Sequence, residues 1–141
     1  MLGKNRMDVV VDANVMFAAI IKISVTSKLF FEDDLHLFAP EFIFEELEEH
    51  KSELLDKTIL PEEYFMPFLS ILRNRISIVP RKSFLEFIEL GKEISPDPDD
   101  YPYFALALKL GCGIWTQDKD AKSQQAKVQI FDTKDILSHI Y

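Results

Sequence analysis

The sequence predicts one α/β domain over residues 1–141: a three-layer α/β/α sandwich around a central parallel sheet of about five strands. Three observations predict it. Short continuous apolar runs, of which Val9 to Val11 is the clearest, alternate with longer stretches of helical period, as strands buried on both faces of a parallel sheet do. Such alternation requires right-handed crossovers, which cover the sheet on both sides. A length of 141 residues with 48% hydrophobic content suits a single core, and no internal repeat, low-complexity tract or Gly/Ser linker divides it.

Taken in order, MDVVVD reads as the first strand, and NVMFAAIIK and SKLFFEDD as helices. LHLFAP is a second strand ending at Pro40, and EFIFEELEEHKSELLDK is a long amphipathic helix. PEEYFMPFLSILRNR has helical period, with Pro61 suited to a first turn and Pro67 expected to break or restart the helix in its middle. ISIVP is a third strand and SFLEFIELGKEI another helix. The loop SPDPDD leads into YPYFALALKL, apolar on nearly every side and stopped by Gly111, hence a central buried helix. GIWTQD and VQIFDT read as the fourth and fifth strands and KDILSHIY as a closing helix.

The net charge of −8 excludes a protein that holds nucleic acid mainly through a broad basic field. Cys112 is alone within an apolar segment, which excludes an internal disulfide framework, predicts a buried structural thiol and suits a reducing compartment. The N-terminus carries early cations, but its apolar run is interrupted by Asp8 and Asp12, too short for a signal peptide or membrane span. These features predict a soluble, cytoplasmic protein without a membrane partner.

Ligand sites in doubly wound sheets lie beyond the carboxyl ends of the strands. Three acids fall at such junctions: Asp12 after the valines, Asp100 before the buried helix, and Asp118 after GIWTQ. A fourth comes from helical phase. At about 100° per residue counted from Phe42, Glu46 lies at about 40°, within the apolar stripe, whereas Glu45, Glu48 and Glu49 lie on or beside the solvent side. Each acid alone has a structural use: Asp12 or Asn14 as a helix cap, Asp100 as the cap of the buried helix, Asp118 and Asp120 in a polar turn, Glu46 as a rim residue. Their coincidence at one rim points to a site. Gathered carboxylates repel unless a cation neutralises them, and an all-oxygen set without a Cys or His cluster suits a hard ion such as Mg²⁺ or Mn²⁺.

The order VVVDAN, EEL, DPDDYPYFALAL and IWTQDKD resembles the PIN domain, the nuclease fold of VapC-type toxins and several RNA-processing enzymes, over almost the whole chain. The resemblance implies that Asp12, Glu46, Asp100 and Asp118 are the catalytic, metal-holding acids. Asn14, Thr116, Asp120 and Asp97 take supporting places, and Asp97 and Asp99 stand near enough to Asp100 to compete for its role. It implies hydrolysis of phosphodiester bonds by a Mg²⁺- or Mn²⁺-dependent endoribonuclease acting on single-stranded RNA, with a 5′ phosphate and a 3′ hydroxyl as product ends. It also brings in the toxin role and an antitoxin protein as partner. Cations that meet phosphates are sought among Lys119 and Lys122 after the last acid and among Arg73, Arg75, Arg81 and Lys82 around ISIVP. The apolar surplus of residues 61–75 points to a homodimer, as family members often form, or to core.

Two other functions compete. One is a PIN-like domain that binds RNA or protein without cutting. The other is a receiver-like phosphoacceptor, which expects a tight acidic pair after the first strand where this chain has only Asp12. An Asp-x-Asp phosphatase is disfavoured because Asn14 stands at the second position.

Overall fold

The computed structural model describes residues 6–141, so the early cation Lys4 lies outside the described residues. Its centre is β1 (Met7–Val11), which pairs in parallel with β2 (Leu35–Pro40) on one side and β4 (Gly113–Trp115) on the other. β2 pairs with β3 (Ile76–Val79) and β4 with β5 (Ile130–Phe131), giving one five-stranded parallel sheet in the order β3-β2-β1-β4-β5. Val9, Val10 and Val11 are fully buried, which is why three β-branched residues in a row form the innermost strand. Burial of each such side chain is worth about 1.5–3 kcal/mol.

From β1 the chain moves outward through β2 to β3 and then returns past β1 to β4 and β5. Right-handed crossovers therefore set the first helices on one face and the later ones on the other. The first face carries α1 (Ala13–Ile21), α2 (Val25–Leu29), α3 (Phe42–Lys57) and α4 (Glu62–Asn74), with α1 packed on both α2 and α3. The second carries α5 (Ile88–Ile94), α6 (Tyr101–Leu110) and α7 (Lys119–Gln124). α6 contacts β1, β2 and β4, and its residues Pro102 to Ala107 are all buried, as its apolar run predicts. Gly111 ends it with φ 66°, the left-handed cap that glycine takes without cost. α8 (Thr133–Ile140) closes the chain, capped by a reciprocal Asp132–Asp135 box.

The elements depart from the sequence reading in several places. SKLFFEDD is helical only as far as Leu29, and GIWTQD is strand only as far as Trp115. Pro67 does not break its helix: α4 runs from Glu62 to Asn74, and because Pro67 lies in the second turn it removes only the one bond back to the exposed Glu63 carbonyl. SFLEFIELGKEI is not one helix. Arg81–Phe87 forms 3₁₀ turns kinked at Phe84 (φ −132°), which buries its ring beside α6, and only Ile88–Ile94 is α-helical. KDAKSQ, which the sequence reading assigns to no element and for whose Asp120 a polar turn is the structural alternative, is helical as α7. Asp118 caps it, and its single buried residue, Ala121, leaves no periodicity to detect. Cys112 is half-buried rather than buried, and its surroundings raise the thiol to about 11, burial first and the Asp8 charge second.

Gly113 is required by close approach. A methyl group there would stand 2.5 Å from a Phe131 ring carbon and 2.6 Å from the Gln129 carbonyl oxygen. Gly113→Ala is expected to destabilise the fold by about 1–3 kcal/mol. The measurement is the urea midpoint, which falls while the slope of the transition is unchanged.

Candidate functional site

The strand order reverses at β1 and β4, and the crevice beyond their carboxyl ends is where such sheets bind ligands. Register brings the two strand ends level: Val11 pairs with Trp115, and the Asp12 amide donates to the Trp115 carbonyl at 3.3 Å. Asp12 is therefore held beside Thr116. Its Oδ1 caps α1 by accepting from the Val15 amide at 2.9 Å, and the Thr116 hydroxyl also bonds its carboxylate. The Thr116 Oγ1 accepts in turn from the Asp118 amide at 3.0 Å, so one buried hydroxyl ties together the ends of β1 and β4. Asp118 Oδ1 accepts from the Asp120 amide at 2.9 Å and caps α7.

Asp100 closes a 3₁₀ turn, Pro98–Asp100, at the threshold of α6 and makes no side-chain cap bond. Together with Asp12 and Asp118 it lines a cavity of about 20 Å³, walled also by Thr116, Tyr103 and Ile114. Glu46 approaches from α3 as helical phase predicts, half-buried while Glu45, Glu48 and Glu49 are exposed. It stands outside the cavity wall, and the Tyr103 hydroxyl donates to its Oε1 at 2.5 Å.

The electrostatics show that these acids share one space. Burial, followed by the Glu46 and Asp118 charges, pushes Asp12 up to about 6 against the lowering effect of its Thr116 and Val15 bonds. Asp100 rises to about 7, through burial first and then the charges of Asp97, Glu46, Asp12 and Asp118. Glu46 is raised mainly by burial, with Tyr103 and His50 opposing. Burial and the Glu46 charge raise Tyr103 as well, so it stays a proton donor. Among the described residues, no three carboxylate, His or Cys side chains stand ready-closed on a common point. The polar donors around the cavity, carboxylates and a hydroxyl, are all oxygen, the donor chemistry that a hard divalent cation takes.

The supporting positions separate. Asp97, although exposed, acts on both Asp100 and Glu46 through its charge, and Asp99 is exposed as well. Asp120 is exposed and meets the site only through its amide. Asn14 is exposed on α1 and lines a neighbouring cleft with Phe17 and His50. The cations also divide. Lys122 is engaged by Asp135 at 2.7 Å and Asp132 at 3.7 Å, and Arg75 donates to the Phe30 and Glu32 carbonyls at the amino-terminal end of the sheet, opposite the acids. Lys119 is exposed beside Asp118, and Arg73 lies 4.3 Å from the Phe44 ring centroid. Sequence reasoning missed Tyr103, although a tyrosine in so apolar a helix signals a hydroxyl that needs a buried partner.

Raised carboxyls make the metal-free fold sensitive to pH. The folded protein keeps protons on Asp12 and Asp100 that the unfolded chain, with an ordinary value of 3.8, has released. Their contribution to stability therefore falls as pH rises from 3.8 to about 7. In chelator at about pH 7.5, Asp100→Asn is expected to raise the thermal midpoint by about 3 °C and to flatten its rise on acidification. A melting profile with wild-type slope would remove this account.

A parallel sheet with carboxylates gathered where its strand order reverses is a doubly wound α/β domain with its candidate site at the switch point. The chain belongs to the PIN domain family, whose sequence profile matches residues 10–136. PIN domains are commonly metal-dependent nucleases. Among solved structures the chain is similar to PAE2754 from Pyrobaculum aerophilum, with 15% identity and a TM-score of 0.68 over 96% of this chain and 90% of that one, a likeness of fold. A search of curated proteins finds no match. Among the described residues no helix is long and apolar enough to cross a membrane.

Proposed function

We propose that the protein is a Mg²⁺- or Mn²⁺-dependent endoribonuclease acting on single-stranded RNA. The observation that carries this reading is the cavity in which Asp12, Asp100 and Asp118 converge at the switch point of a PIN domain, Asp12 and Asp100 raised by burial first and by neighbouring acidic charges second. Those three acids would hold the ion, with Glu46 as a further ligand. When bound, the ion supplies neutralisation of the phosphate charge and acidification of a water molecule. The chain's own groups do the positioning. The Val15 amide and Thr116 hydroxyl orient Asp12, the Asp120 amide orients Asp118, and Tyr103 fixes Glu46 by donating its proton to Oε1. Attack by water breaks the bond to the 3′ oxygen and leaves a 5′ phosphate and a 3′ hydroxyl.

The test is incubation of the purified protein with single-stranded RNA in Mg²⁺, in Mn²⁺ and in excess chelator. Cleavage in the metals alone, with 5′ phosphate ends, is the expected result. Cleavage that persists in chelator, or 2′,3′-cyclic phosphate ends, would overturn the assignment, and a protein that binds RNA but cuts none would favour a binding domain. Tyr103→Phe keeps the ring and removes only the bond to Glu46. It is expected to weaken Mn²⁺ binding by about tenfold in calorimetric titration.

The same reading extends to a toxin held in check by an antitoxin and working in the cytoplasm on cellular RNA. Homodimerisation through α4 is part of it, supported by the exposure of Tyr64, Met66 and Ile71 on that helix.

A further inference from the structure

A second cleft, of about 530 Å³, opens beside the acids between the start of α3, the 3₁₀ turns at Arg81–Phe87 and the start of α6. Its volume lies in the range of ligand pockets, about 300–1,000 Å³. Two of its walls are aromatic rings that each carry a cation. Phe44 has the Arg73 guanidinium 4.3 Å from its centroid, and Tyr101 has Arg81 at 5.5 Å and Lys92 at 5.1 Å. Arg81 is further fixed by donating from Nη1 to the Tyr101 hydroxyl at 2.6 Å.

The cleft is lined by chain neighbours of the carboxylates. Tyr101 directly follows Asp100, and Glu45 directly precedes Glu46. Phe42, on its wall, meets Tyr103 edge-on at 6.0 Å, and Tyr103 holds Glu46.

We propose that this cleft binds one unpaired nucleotide of a single-stranded nucleic acid and so sets the phosphodiester presented to the acids, a proposal that rests on the nuclease reading. Aromatic rings offer flat platforms for a base whose face is free, and a duplex hides that face. The exposed Glu41 and Glu45 at the same rim repel phosphate and leave the Arg81 and Lys92 side as the place for the backbone. The arrangement also bears on the charge of a chain at −8: a few cations held at two rings of one cleft can meet a phosphate without a broad basic field. It distinguishes Arg73 and Arg81, stacked on the cleft's rings, from Arg75, which is tied to backbone carbonyls at the far end of the sheet.

The test measures binding without turnover. A fluorescein-labelled octamer of uridine ribonucleotides is titrated in EDTA against wild type, Arg81→Ala, Arg81→Lys, Phe44→Leu and Asp12→Asn, with an RNA duplex of the same length as comparison. The octamer is expected to bind wild type at least about tenfold more tightly than the duplex, and Arg81→Ala and Phe44→Leu to lose about tenfold each. Arg81→Lys is expected to recover part of the loss, and Asp12→Asn to bind no more weakly than wild type. Wild-type affinity in an Arg81→Ala protein that melts normally would overturn the proposal, as would equal affinity for the duplex or no binding of the octamer at all. The two readings fail separately. Loss of binding in Arg81→Ala without metal-dependent cleavage in wild type sinks the nuclease and keeps the cleft, whereas cleavage with affinity indifferent to Arg81 does the reverse.

Discussion

If the protein is the proposed ribonuclease, Asp12→Asn is expected to lower the rate of metal-dependent RNA cleavage by about 10³-fold or more while raising the stability of the metal-free protein. The loss follows from removing the charge on which a cation at the cavity would chiefly depend, and electrostatic groups at reacting phosphates are commonly worth that much. The gain follows from two observations. Asn caps a helix about as well as Asp, so the bond from the Val15 amide survives. The carboxyl it replaces is raised to about 6 mainly by burial, and an amide does not carry that penalty. Parallel measurements of initial rate and of the thermal midpoint in chelator check both signs. A variant that lost activity by unfolding would move the two readouts in the same direction, and that outcome would remove Asp12 from the active site.

Trp115→Ala is expected to destabilise the protein by about 3–5 kcal/mol, a large part of the 5–15 kcal/mol that usually holds a domain together. Trp115 is completely buried at the end of β4, packs against Phe30 with ring centroids 5.6 Å apart, and donates from Nε1 to Thr133 Oγ1 at 3.2 Å. The indole thus joins the sheet to Phe30, the residue that caps α2, and to α8 at once. Trp115→Phe keeps most of the apolar volume and forfeits the hydrogen bond, at a cost of about 1–2 kcal/mol. Urea titrations followed by circular dichroism give both values. A loss below about 1 kcal/mol for the alanine variant would show that the layer around the indole closes without it. Because Thr116 follows directly, the alanine variant should also lose the alignment of Asp12 with Asp118.

Local periodicity was enough to find the sheet, whose strand cores recur in the structure, and to single out Glu46 among its neighbouring glutamates. Both features repeat within a few residues, the range over which a pattern can be read. The partner of Glu46 lies 57 residues away, and no local signal links Tyr103 to it. The arginines show the same limit. Arg73 and Arg75 are two positions apart and alike in sequence, yet one stacks on Phe44 and the other braces the backbone before β2. Pro67 leaves its helix unbroken because, in the second turn, a proline removes only the bond back to Glu63, whose exposed carbonyl can turn to water. α7 escaped notice because a six-residue helix with one buried alanine has no second turn of apolar residues to mark it.

The outermost strands, β3 and β5, are four and two residues long. Edges so short present few unpaired backbone groups, and another strand docking there would gain only a handful of ladder bonds. The sheet is in effect self-limiting: concentrated solutions of the folded chain should resist strand-to-strand aggregation. Lasting assemblies then have to form through helical faces instead.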